Sequence, residues 1–132
     1  MLTQINELVG IPFKDGGRDR NGLDCWGMVI LAYKILHNKE IPDFKICAMQ
    51  HDLVHKKILE QQTDNDWEEL QGPEKGCIVA FRLHPIFVSH IGICIDEKTF
   101  LHCSERIGGV CIEKLNHSFY NKRIEGFYKW TK

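Results

Sequence analysis

A polar, glycine-rich stretch, Gly16-Gly17-Arg18-Asp19-Arg20-Asn21-Gly22-Leu23, ends at Asp24, and an almost wholly apolar run begins at Cys25 and continues to Leu36. An aspartate at such a junction is a good helix N-cap, because its carboxylate accepts hydrogen bonds from the first free backbone N–H groups. The spacing therefore predicts a helix whose first turn carries Cys25. Apolar residues on nearly every side of that run mean a buried helix, around which the rest of the chain must wrap. A thiol at a helix start also feels the positive end of the macrodipole, which favours the reactive thiolate. Cysteine most often packs as a small hydrophobe, but packing alone does not call for a capped helix N-terminus behind a flexible loop. Cys25 is the candidate nucleophile, and what it needs is a base.

A length of 132 residues fits one domain over 1–132, long enough to bury a core without staples. Hydrophobic content of 43% and charged content of 27% are those of an ordinary globular protein. A formal net charge of -1 argues against nucleic acid or an anionic membrane as partner. No apolar run reaches bilayer length, and Met1-Leu2-Thr3-Gln4-Ile5-Asn6-Glu7 lacks the basic start and apolar centre of a secretory signal. The expectation is synthesis in the cytoplasm, with any export left to another machine. Of Cys25, Cys47, Cys77, Cys94, Cys103 and Cys111, no pair has C-x-x-C spacing, and reduced thiols are expected. Cys103 and Cys111 flank a turn, so a bridge across a hairpin is the one pairing to consider.

Thr3 to Gly10 reads as a short helix or turn, and Ile11-Pro12-Phe13 as extended. A second helix is expected from about Met49 to Gln61. Its His51 and His55, four apart, read as surface residues for want of a third ligand. From Gly72 onward the texture is β-type: strands over Gly76–Arg82, Ser89–Asp96, Thr99–Ser104, Val110–Leu115 and Arg123–Trp130, joined by short turns. Helices followed by an antiparallel meander make an α+β domain.

Two of the seven histidines stand out by placement. His90 opens the second of these strands with Gly92 on the same face, where the missing side chain is expected to leave room for the Cys25 helix. His102, in the next strand, can point to the same side and hold the ring of His90 by a hydrogen bond that fixes its tautomer.

Gly-Leu-Asp-Cys-Trp-Gly-Met-Val at 22–29, Ser-His-Ile-Gly-Ile at 89–93 and Phe-Leu-His at 100–102 together resemble the NlpC-type cysteine peptidase family. The resemblance implies a papain-like fold, with the nucleophile helix packed on a C-terminal antiparallel sheet. It implies hydrolysis of peptidoglycan stem peptides, typically between D-glutamate and a diamino acid. By matched position it makes Cys25 the nucleophile, His90 the general base and acid, and His102 the orienting third residue. Phe13, Arg18, Asp24, Trp26 and Ser89, beside these motifs, form the expected substrate-binding set. No cofactor and no metal is implied. Trp26 replaces a common serine, Phe13 a common aromatic hydroxyl, and Gly76-Cys77 a common Gly-Asp. The Gly-Gly-Arg-Asp loop with Asp-Cys-Trp-Gly looks most like members from tailed bacteriophages and prophages, which implies tail proteins as partners and a tail as the route to the wall.

Two other classes stay open. One is a non-catalytic papain-like module built into a tail. The other is a metal-binding protein using Cys25, His90 and His102, since a thiolate and two imidazoles are competent zinc ligands.

Overall fold

The computed structural model describes residues 2–43, 56, 60, 66–83 and 88–131. Helix α1 (Leu2–Leu8) leads into an extended segment and a small hairpin of β1 (Arg18–Asp19) and β2 (Gly22–Leu23), followed by helix α2 (Cys25–His37). Strands β3 (Trp67–Leu70), β4 (Ile78–Phe81), β5 (His90–Cys94), β6 (Thr99–Ser104), β7 (Gly109–Lys114) and β8 (Ile124–Trp130) complete the domain. No described helix is long and apolar enough to cross a membrane.

Helix α2 forms where the sequence predicts, with Asp24 as its cap: the Asp24 carboxylate accepts the Gly27 N–H at 2.8 Å. It ends at Asn38, which adopts the left-handed conformation (φ 52°) and returns its N–H to the Lys34 carbonyl. One side of α2, carrying Cys25, Met28, Val29, Ala32 and Tyr33, is buried, while Ile30, Leu31, Ile35 and Leu36 are half-buried.

The six large strands form one antiparallel sheet in the order β3-β8-β4-β5-β6-β7. Strands β4 to β7 are the expected meander. The last strand departs from it, crossing back to pair β4 on one side and β3 on the other. Residues 67–70, ahead of the strands expected from Gly72 onward, are a further strand: Trp67 pairs with Trp130, and the two rings pack tilted with centroids 4.7 Å apart. The stretch 18–23, read as loop, is a hairpin closed by the Asp19 carboxylate accepting the Asn21 N–H at 2.9 Å. The expected helix over 49–61, with His51 and His55, lies outside the described residues apart from Lys56 and Glu60.

Strand alternation sorts the core into two. Ile78, Ala80, Ile91, Ile93, Leu101, Cys103 and Val110 face α2, and Cys77, Val79, Phe81, Cys94, Phe100 and Tyr120 pack on the opposite face. The register pairs His102 with Cys111 and Cys103 with Val110. Cys103 and Cys111 therefore point to opposite faces and cannot bridge; both are free thiols. Gly92 also serves a different neighbour from the one expected: a Cβ there would meet the Leu101 carbonyl at 2.8 Å and His102 Cβ at 3.2 Å. It makes room for the adjacent strand and its imidazole, not for α2, which lies on the other face.

The glycines before the cysteine serve close approach. A Cβ at Gly27 would run into the Gly17 carbonyl, and one at Gly17 into the Gly22 carbonyl. Backbone cannot yield as a side-chain tip can. Gly27→Ala is expected to lower the unfolding free energy by about 1–3 kcal/mol, read as a lower urea midpoint at unchanged slope; an unchanged midpoint would contradict the packing described.

Candidate active site

The site starts from a buried carboxylate. Asp24 is wholly buried. Its Oδ1 accepts from the Gly27 N–H and from Arg18 Nη1 at 2.7 Å, and its Oδ2 accepts from the Gly16 N–H at 3.2 Å. Arg18 also donates from Nη1 to the Gly17 carbonyl at 2.9 Å and from Nε to Asp43 at 3.1 Å. A buried carboxylate is costly unless paired and hydrogen-bonded, and here loop, guanidinium and helix N-terminus all pair it. The consequence is positional: the Gly16–Arg18 loop is tied to the first turn of α2, and Cys25 is fixed between them.

Cys25 is 4% exposed. The backbone N–H groups of Ile91 and Trp26 face its sulfur. Strands β5 and β6 pair only at Ile93 with Leu101 and at Cys94 with Phe100. At Ile91 the ladder has opened, and the strand presents its N–H to the thiol, one residue from His90. Among the described residues the sulfur makes no hydrogen bond to the His90 ring. Burial, then the negative charge of Asp24, pushes the thiol from 9.0 up to about 12. The expected thiolate is therefore corrected to a neutral thiol. A helix terminus contributes about 0.3–1 kcal/mol, less than one factor of ten in acidity, and burial outweighs it.

The two imidazoles meet directly, His90 Nε2 to His102 Nδ1 at 2.8 Å. Both rings are buried, with Phe81 5.8 Å from His90, and Phe100 and Tyr120 4.8 and 5.1 Å from His102. Burial, and then the neighbouring His102, holds His90 well below the usual imidazole range. Burial takes His102 down to about 4 against the opposing pull of Glu113. Both rings rest neutral near pH 7.

The far nitrogen of His102 has a partner that the sequence did not announce. His102 Nε2 lies 3.1 Å from Glu113 Oε2, and the Tyr120 hydroxyl donates to the same carboxylate while accepting from Arg106 at 3.2 Å. These contacts determine where the protons sit. A carboxylate accepts, so His102 carries its proton on Nε2 and accepts at Nδ1. His90 then donates from Nε2, and its Nδ1 is left bare, the form a general base requires. Glu113 lies two residues beyond Cys111, the register partner of His102, and so shares its sheet face. Only the register reveals this, since alternation alone does not say which strand residue stands diagonal to the imidazole.

The other expected site residues are distributed unevenly. Asp24 and Arg18 are consumed by each other and by the loop, so the structure gives them the task of holding the helix start rather than free groups for substrate. Trp26 is half-buried, its indole N–H donating to the Pro42 carbonyl at 2.9 Å and its ring edge-on to Trp67. Phe13 is half-buried beside Leu23. Ser89 is buried at the foot of β5, its N–H on the Phe81 carbonyl. Cys25, His90 and His102 do not converge as a set of metal ligands. Among the described residues the one group that does is His102, Cys111 and Glu113, whose ligand atoms all lie within 4.8 Å of one another.

Comparison with known proteins bears on this arrangement. The family model described as NlpC/P60 family matches residues 10–129. The chain is 27% identical over 129 residues to the probable peptidoglycan endopeptidase LytE of Bacillus subtilis, a match covering 96% of the chain and 32% of that protein. It is 25% identical over 123 residues to the murein DD-endopeptidase MepS/murein LD-carboxypeptidase of Escherichia coli K12, covering 93% of the chain and 57% of the relative. The chain thus spans from a third to little over half the length of these two relatives. Among solved structures, the NlpC/p60 domain of the peptidoglycan hydrolase SagA superimposes with a TM-score of 0.60 at 16% identity, covering 96% of this chain and 92% of that one. An NlpC/P60 family protein from Bacillus cereus superimposes at 0.69 with 20% identity, covering 99% of this chain and 39% of that one. At these identities the likeness shows the α+β, papain-like fold. With the family model spanning the loop, the cysteine helix and all of the sheet but Trp130, the chain belongs to the NlpC/P60 family.

Proposed function

We propose that the chain is a cysteine peptidase that hydrolyses amide bonds in peptidoglycan stem peptides. The observation that carries this reading is the hydrogen-bonded His90–His102 pair, one residue from the backbone N–H on which the Cys25 sulfur rests. Family membership and relatives named as peptidoglycan and murein endopeptidases support it.

The chemistry follows from neutral groups. His90 Nδ1 removes the thiol proton as Cys25 attacks the amide carbonyl, so charge separates during the step and not before it. The His102 ring, held by Glu113, steadies the imidazolium through the His90 Nε2–H. The Cys25 backbone N–H, in the first helical turn and so without an acceptor within the helix, stabilises the oxyanion. His90 then gives its proton to the leaving amine. Water, deprotonated by His90, releases the acyl group and restores the thiol. Substrate must bring sulfur and imidazole into contact, in keeping with hydrogen bonds that tighten only in the complex.

The bond between D-glutamate and the diamino acid is the proposed target, and carriage to the wall by a phage tail the proposed route; both rest on the motif resemblance alone. A non-catalytic tail module is the second reading, favoured by the near-complete burial of the thiol. Digestion of purified muropeptides followed by mass spectrometry separates the two and distinguishes the proposed bond from a D,D cross-link. Cys25→Ala is expected to reduce turnover at least about a thousandfold. Glu113→Ala, which leaves the His102 Nε2–H with only the Cys111 sulfur at 3.4 Å, is expected to lower kcat about ten- to a hundredfold with little change in KM. Full activity in Cys25→Ala, or no cleavage by the wild type, overturns the peptidase reading.

Thiol titration tests the neutral resting state. With a thiol at about 12, the thiolate is about one part in ten thousand at pH 8. Alkylation of Cys25 by iodoacetamide, located by peptide mass spectrometry, is expected to rise about tenfold per pH unit from 7 to 10. A plateau below pH 8 would show a preformed thiolate.

A further inference from the structure

The cluster behind His102 is more than a positioning device. His102 Nε2 is 3.1 Å from Glu113 Oε2 and 3.4 Å from Cys111 Sγ, and all three ligand atoms lie within 4.8 Å of one another. Tetrahedral zinc, with Zn–N about 2.0–2.1 Å, Zn–S about 2.3 Å and Zn–O about 2.0–2.2 Å, separates its ligand atoms by about 3.4–3.6 Å. Two of the three edges are thus near the required length before any ion enters. Imidazole, thiolate and carboxylate together also suit zinc in chemistry. His102 is buried, but Cys111 is half-buried and the Glu113 side chain 20% exposed, so one side of the cluster is open to an entering ion and to a water as fourth ligand. Arg106 is exposed, stacks on Phe119 at 4.1 Å and donates to the Tyr120 hydroxyl, and its charge also acts on Glu113.

We propose that His102, Cys111 and Glu113 form an inhibitory zinc site, which switches the peptidase off by reversing the hydrogen bond between the two imidazoles. This rests on the peptidase reading above for its consequence, though not for the binding itself. The reversal is a matter of proton count. With Glu113 as partner, His102 bears its proton on Nε2 and accepts at Nδ1. With zinc on Nε2, the neutral ring bears its proton on Nδ1, the usual state of a metal-bound histidine whose other nitrogen donates. The His102 Nε2 proton leaves to solvent, and His102 Nδ1 takes the proton from His90 Nε2 across the 2.8 Å contact. His90 regains a proton from solvent at Nδ1, and Cys111 loses its thiol proton. The net change is one proton released per ion bound. His90 Nδ1 is now occupied and can no longer take the thiol proton of Cys25.

The test uses the full chain with cobalt(II) as a spectroscopic probe and zinc as the inhibitor. Cys25→Ala is expected to bind one cobalt ion with a thiolate-to-metal charge-transfer band, and Cys25→Ala combined with Cys111→Ser to lose that band. Wild-type hydrolysis of muropeptides is expected to fall at least tenfold in zinc and recover on chelation. In Cys111→Ala the zinc concentration for half-inhibition, referred to that variant's own metal-free rate, is expected to rise at least tenfold; Glu113→Gln provides a second ligand variant for the cobalt measurement. A band that survives Cys111→Ser in the Cys25→Ala background overturns the site and points to metal on another thiol; zinc inhibition unchanged in Cys111→Ala overturns it and points to metal on Cys25. If the metal-free chain cleaves nothing, the peptidase reading and the switch fail together, while the cobalt band still decides whether the cluster binds metal.

Discussion

The buried Asp24 carboxylate is the interaction on which the rest of the site depends. Removing it would orphan the Gly16 and Gly27 N–H groups and leave the Arg18 guanidinium with Asp43 as its remaining carboxylate partner. Such a residue is easily taken for a substrate contact because it precedes the candidate nucleophile. Its geometry shows a different role: it clamps the glycine loop to the helix N-terminus, and it does so with a charge that makes the adjacent thiol harder to ionise. Cys25 is thus held firmly in position while its acidity is lowered.

The sheet supplies what the helix start does not. Because β5 carries His90 on one face and Ile91 on the other, one strand both anchors α2 through its apolar side chains and presents an imidazole to the aromatic layer behind. The sulfur reaches that strand where β5 and β6 have parted, at a backbone N–H rather than at a side chain. Neutral histidines in an aromatic surround cannot rely on charge for orientation. They rely on a directional chain from Glu113 through His102 to His90, in which each proton position dictates the next. The same directionality makes the chain sensitive to whatever occupies its outer end.

Much of this was legible from residue order. The Asp24 cap, the start of α2 at Cys25, the edges of β6 and the shared face of His90 and His102 follow from capping chemistry and alternation, which are local. What was not legible is non-local. The return of β8 between β3 and β4 depends on pairings such as Ile78 with Tyr128, fifty residues apart. The separation of Cys103 from Cys111 depends on a register that turn residues alone do not set. Nothing in the order of residues singles out Glu113; the register alone places it diagonal to His102. The raised pKa of Cys25 is not legible in sequence either, because a helix dipole is visible there and the depth of burial is not.

The proposed chemistry depends on the proton arrangement of the two imidazoles. Long-range nitrogen–proton correlation spectra of the metal-free chain, with ring nitrogens assigned through His90→Gln and His102→Gln, read that arrangement directly. Both His90 and His102 are predicted to be neutral and protonated at Nε2, with Nδ1 of His90 bare. A proton on His90 Nδ1, or a His90 imidazolium at pH 7, would contradict it.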